Sequence, residues 1–239
     1  MQQSGLPGPL GQAGQFMAAP ASRRKFLRYA GISGLAATVL SGCVKTVSNF
    51  TQDGKGPTNS VALPSGDIGI LNFAYALEQL EAAFYTVVVA DPYENIPSLE
   101  LSRLTDIRDH EIAHREFFKT VLGKAAIQQL NFNFTTVDFS SRTSVLATAK
   151  TFEDIGVSAY NGAGSLLISP VYLGLAGKIV SVEARHAAYL RNLITPGSFA
   201  DLTVVNNMGL DTNRTPAQVL TLAQPFITET IDGSALPTA

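Results

Sequence analysis

The chain has 239 residues, 46% of them hydrophobic and 15% charged, with a net charge of −2. That balance excludes a disordered chain and supplies enough apolar material for one domain with a sizeable core. A single cysteine excludes an internal disulfide framework, and no basic surplus argues for a nucleic-acid partner.

The first residues read as an address. Ser22-Arg23-Arg24-Lys25-Phe26-Leu27-Arg28 is expected to be a twin-arginine export signal. The apolar run after it, from Tyr29 to Leu40, is interrupted by glycines and too short to span a membrane. It closes on Leu40-Ser41-Gly42-Cys43, which resembles a bacterial lipobox. The resemblance implies cleavage of residues 1–42, a lipid on Cys43, and a periplasmic or cell-surface location whose only membrane contact is that anchor. An ordinary signal peptide with an incidental cysteine is the alternative, and Met17 competes with Met1 as the start. Cleavage would remove Arg23, Arg24, Lys25 and Arg28 and no acidic residue, moving the net charge from −2 to −6. Residues 43–66, rich in Ser, Thr, Gly and Pro, are expected to form a flexible tether.

A first long helix is expected over residues 67–90. It is apolar nearly all round, so it should be buried, yet it carries Glu78 and Glu81. Glu78 aligns with Leu71, Ala82 and Tyr85 and points inward. Pro92 and Pro97 mark the turn into a second helix over residues 98–122, which stops at Gly123. This helix carries Glu111 and His114, three positions apart and so on one face, in line with Leu104, Ile107 and Phe118. His110 lacks a partner three residues back and is expected to sit at the surface or to cap.

Residues 123–141 break the helical period. Positions 131–139 alternate polar and apolar, but nothing else in the chain offers a strand partner, so the segment is expected to be a long crossover with a short helix at its start. A third helix is expected over residues 143–163, with Leu146, Ala149, Glu153, Val157 and Tyr160 on one face. Ser169-Pro170 opens a fourth, which ends near Ile194 before Thr195-Pro196-Gly197. It carries Glu183 and His186 among Ala176, Ile179, Val180, Ala187 and Leu190. Residues 195–239 are expected to be a mostly irregular extension packed on the helices. One short helix should begin at Thr215-Pro216-Ala217-Gln218, which has capping-box spacing.

The halves of the chain echo each other. Glu78 precedes Tyr85 by seven residues, as Glu153 precedes Tyr160, and each half then supplies a Glu-x-x-His. A buried carboxylate beside a histidine needs a partner, and a metal ion satisfies both. Four long helices with one long central crossover describe an all-α four-helix bundle.

With this repeat the chain resembles the ferritin-like superfamily of di-iron and di-manganese carboxylate proteins. The resemblance implies that Glu78, Glu111 and His114 form one half of a dinuclear site and Glu153, Glu183 and His186 the other, the Glu-x-x-His glutamates bridging the two metals. Glu81 is the alternative ligand to Glu78, or else stands behind the ligands. Tyr85 and Tyr160 would hydrogen-bond ligands of the opposite half or supply electrons, core tyrosines being the plainer reading. Arg115 and Arg185 are expected in solvent. Leu77-Glu78-Gln79-Leu80-Glu81-Ala82-Ala83-Phe84-Tyr85 and Glu183-Ala184-Arg185-His186-Ala187-Ala188-Tyr189 are similar to the branch that holds plant desiccation-related proteins and their exported bacterial relatives.

Four carboxylates and two imidazoles suit two iron ions, with manganese the second choice. The expected function is an exported di-iron oxidoreductase of ferroxidase or peroxide-linked type, with dioxygen or peroxide as the small-molecule partner. The rival is a stress- or desiccation-associated binding protein whose metal only braces the bundle. A homo-oligomer is compatible with either, whereas a closed storage shell fits poorly with an anchor and a long tail.

Overall fold

The computed structural model describes residues 59–238. The export signal, Cys43 and most of the expected tether lie outside them. Strand β1 (Ser60–Ala62) comes first, then helices α1 (Gly66–Ala90), α2 (Ser98–Leu122), α3 (Arg142–Gly164), α4 (Pro170–Ile194) and α5 (Pro216–Ala223), and strand β2 (Thr230–Asp232). Helices α1 to α4 form the four-helix bundle: short turns make α1–α2 and α3–α4 antiparallel hairpins, and residues 123–141 cross between the hairpins. Among the described residues no helix is long and apolar enough to cross a membrane.

Local chemistry sets the helix ends. The side chains of Ser141 and Ser169 accept from the backbone amides of Ser144 and Tyr172, capping α3 and α4, and Pro170 takes the first position of α4. Gly123 ends α2 at φ 53°, a conformation a side chain would resist. Asp67, in the first turn of α1, accepts from the amides of Ile168 and Ser169 at 2.8 Å each, tying the start of α1 to the α3–α4 turn.

The polar residues buried on α1 hold the crossover. Asn72 donates to the Ala125 carbonyl at 2.9 Å and accepts from the Ile127 amide at 2.7 Å, while Gln79 accepts from the Leu130 amide at 2.9 Å. The alternating segment 131–139 is not a strand. It lays Phe134 and Phe139 on Phe84, with ring centres 5.8 Å apart in each case, and makes a single antiparallel bridge, Phe132 to Ile227. A one-turn 3₁₀ helix, Gly123–Ala125, stands where a short helix is expected.

Two features correct the sequence reading. The tether does not extend to residue 66: Ser60–Ala62 pairs in parallel with Thr230–Asp232, and Val61 and Leu63 are buried. The partner strand lies some 170 positions away, which no local pattern reveals. The tail also supplies strand β2, beyond the one short helix expected in it. It is clipped to α3 where the Arg214 amide donates to the Ser158 carbonyl at 3.0 Å, and Gly162 admits that backbone, since a Cβ there would lie 1.9 Å from the Arg214 oxygen. Helix α5 has the expected capping box, Thr215 with Gln218, and buries Val219, Leu220 and Ala223.

Candidate metal centre

Glu78 (α1), Glu111 (α2), Glu153 (α3) and Glu183 (α4) each have no exposed surface, and His186 retains 5%. Each helix delivers one carboxylate at the same depth because each places it in its apolar stripe. His114 completes the group with a side chain 13% exposed. The six ligand-capable residues expected from the repeat therefore converge in the bundle core. They form two overlapping groups: Glu78, Glu111, His114 and Glu183, and Glu111, Glu153, Glu183 and His186. Glu111 and Glu183 belong to both.

The shortest contacts run between the halves. His114 Nδ1 lies 2.9 Å from Glu183 Oε1, and His186 Nδ1 lies 2.8 Å from Glu111 Oε1. Within a half the same nitrogens stand farther off: His114 is 3.4 Å from Glu78 and from Glu111, and His186 is 3.3 Å from Glu153 and 3.5 Å from Glu183. Short as some of these contacts are, Glu78 Oε2, Glu111 Oε1, Glu153 Oε2, both oxygens of Glu183 and His186 Nδ1 have no hydrogen-bond partner. They approach without aligning on one another, as atoms aimed at common points do.

The tyrosines explain which oxygens are left free. Tyr85 donates to Glu153 Oε1 at 2.6 Å, and Tyr160 donates to Glu78 Oε1. In both cases the hydroxyl of one half takes one oxygen of the other half's lone glutamate and leaves Oε2 facing the cluster. Burial, then the facing glutamate, push both phenols well above their usual range, so each remains a donor.

So many carboxylates in a dry core cannot all keep ordinary acidities. Burial, then the charge of Glu183, raise Glu111 well above the usual carboxylate range. Burial also lifts Glu153 to about 7, against the pull of His186. Burial works the same way on Glu183, but the close imidazoles of His114 and then His186 outweigh it and draw this carboxyl down to about 2. Burial disfavours the imidazolium forms of His114 and His186, yet the surrounding carboxylates win and raise both. Without metal, the two histidines thus act as the cations that the cluster lacks.

Glu81 is in neither ligand group. It is 3% exposed and faces Gly156, whose missing Cβ would lie 3.1 Å from Glu81 Oε1. Gly156 follows Glu153 by three residues, as Glu81 follows Glu78, so the second half supplies the space that the first half's extra carboxylate fills. Burial, then Glu111 and the other glutamates, raise the Glu81 carboxyl well above its usual range.

Arg115 and Arg185 stay off the cluster, bonding Glu116 and the Ser181 carbonyl. Two neighbours of the site escaped the sequence reading. Arg191 on α4 grips Asp154 on α3 through two hydrogen bonds of 2.7 Å, beside Glu153. Opposite charges on two apolar helices signal such a pair, although not its partners. The other is His110, which lies at the surface as expected but also reaches His186. It is exposed, yet its Nδ1 lies 2.9 Å from His186 Nε2 and the two rings are nearly parallel. Its neighbour Glu111 was the only available signal.

The donor set is compatible with metal binding. Each group offers three carboxylates and one imidazole, and two shared carboxylates can hold the ions together. A search of curated proteins finds no match to the chain. The ferritin-like domain family matches residues 66–196, which span all four helices and every residue of the cluster. On that match, over more than half its length, the chain belongs to the ferritin-like domain family.

Proposed function

We propose that the protein is an exported oxidase with a dinuclear centre, iron before manganese, of the ferroxidase or peroxide-linked type. The observation behind this is the set of unpartnered buried atoms on Glu78, Glu111, Glu153, Glu183 and His186. Leaving such groups unsatisfied costs about 1–3 kcal/mol each or more, and metal ions remove that cost. When bound, two ferrous ions supply the electrons that reduce dioxygen or peroxide.

The chain's own residues do the rest. Glu111 and Glu183, common to both groups, would hold the ions, and Glu78 and Glu153 would each present one oxygen while a tyrosine fixes the other. Leu104, Leu146 and Leu190, each seven residues along its helix from Glu111, Glu153 or Glu183, are fully buried in the core and help keep bulk water out. A slot lined by Leu71, Leu77, Phe118, Ala159 and Tyr160 meets the Tyr160 ring, and its apolar walls favour a small neutral molecule such as dioxygen.

Purified protein loaded anaerobically with about two ferrous ions per chain is expected to consume oxygen and yield ferric iron. Iron that stays ferrous in air would favour the rival reading, a stress- or desiccation-associated protein whose metal only braces the bundle.

Export through Arg23-Arg24 and lipid attachment at Cys43 complete the proposal. Cells given labelled palmitate should yield labelled protein in the membrane fraction, and Cys43→Ser should abolish the label. Unlabelled, soluble wild-type protein would sink the anchor.

A further inference from the structure

We propose that His110 makes the two halves of the centre unequal, so that the half holding His186 takes up a divalent ion before the half holding His114. The proposal rests on the dinuclear reading above. His186 Nδ1 faces the carboxylates of Glu111, Glu153 and Glu183, while its Nε2 lies 2.9 Å from His110 Nδ1. The rings stack at 5.1 Å with an angle of 8°. An imidazole that binds an ion through Nδ1 carries its proton on Nε2, so His186 donates and His110 Nδ1 accepts. His110 then holds its own proton on Nε2.

Both degrees of freedom of His186 are thereby set, its tautomer by the hydrogen bond and its ring plane by the stack. Groups that brace a metal-binding histidine in this way raise its basicity and hold its orientation. His114 has no such brace. Its Nδ1 faces Glu78, Glu111 and Glu183, but its Nε2 makes no hydrogen bond to any described protein group. The repeat shows why. His110 immediately precedes the glutamate of its Glu-x-x-His, and the residue in that place in the second half is Val182, which has no acceptor. His110 is thus a positioning residue that acts through His186, from a helix belonging to the opposite half.

The test is a calorimetric titration of metal-free protein with Co(II), with the visible absorption of each step recorded. Wild-type protein should bind two ions in separable steps, His186→Ala removing the tighter and His114→Ala the weaker. Both His110→Ala and His110→Phe should weaken the tighter step about 10–100-fold and shift its cobalt spectrum, leaving the weaker step unchanged. His110→Phe keeps a flat ring against His186 without the acceptor, and so separates the hydrogen bond from the stack. His110→Gln, whose amide oxygen can accept from Nε2, should recover most of the loss. Two ions in wild type with both steps unmoved in His110→Ala and His110→Phe would overturn the role of His110. So would a tighter step that disappears in His114→Ala. Wild-type protein that binds no cobalt would instead overturn the dinuclear reading.

Discussion

Glu111→Gln is expected to strip metal from the protein and, in the metal-free form, to raise its melting temperature. Glu183→Gln should strip metal equally but lower that temperature. Both residues belong to both ligand groups, so either change removes a ligand from both groups at once. Removing a group that merely supports a ligand costs about 10–100-fold in affinity, and losing a shared ligand should exceed that. The opposite effects on stability follow from opposite acidities. Burial and the neighbouring charge of Glu183 raise Glu111, so the fold prefers its neutral form, which glutamine imitates in shape. Glu183 is drawn down to about 2 because the imidazoles of His114 and His186 lie against its charged form, and glutamine takes that charge away. A chain of this size moves about 2–4 °C per kcal/mol. Metal content after dialysis and thermal unfolding in chelator check the pair, and melting shifts of the same sign in both variants would refute the argument.

A second large effect is expected from pH. Metal-free protein should lose stability between about pH 5 and 8, whereas metal-loaded protein should gain it. Burial raises Glu153 from 4.5 to about 7, so through that interval the folded chain keeps a proton that the unfolded chain has released. Stability from this group is complete below 4.5 and declines as pH rises towards 7, by about 3 kcal/mol in all. His114 and His186 act in the same direction. Both are raised from 6.5, so their contribution is whole below 6.5 and falls as pH climbs above it. Glu183 works the other way, but its window lies below its ordinary 4.5, outside the range. Metal ions compete with all these protons, so binding tightens as pH rises and adds stability by mass action. Melting curves at pH 5 and pH 8, with chelator and with Mn(II), should cross. Parallel curves would show that protons and metal do not share these groups.

The bundle was legible because its signals are local. Helix caps such as Ser169-Pro170 and the three-residue spacing of Glu111 with His114 and of Glu183 with His186 each sit within a turn or two of chain. The internal repeat extended them to Glu78, Glu153 and the two tyrosines, whose hydroxyls do reach the opposite half. What escaped depends on the approach of distant segments. Next to Glu111 on a helix, His110 starts about 100° away from the inward face, and only the position of α4 brings His186 to it. The pairing of Ser60–Ala62 with Thr230–Asp232 and the grip of Arg191 on Asp154 are likewise decided between elements rather than within them. Glu81 was recognised as the odd carboxylate, but the glycine that accommodates it lies on a different helix.

The crossing of contacts between halves carries a genealogical consequence. Tyr85 serves Glu153, Tyr160 serves Glu78, His114 is closest to Glu183, and His186 is closest to Glu111. A lone two-helix hairpin with one Glu, one Tyr and one Glu-x-x-His would present every group but keep only its longer contacts, such as His114 to Glu78 and Glu111 at 3.4 Å. Two identical hairpins meeting about a twofold axis would complete both. The present chain is built as that encounter made permanent by a linker, residues 123–141. The differences described here, a glutamate against a glycine and a histidine against a valine, are asymmetries that two identical hairpins could not have.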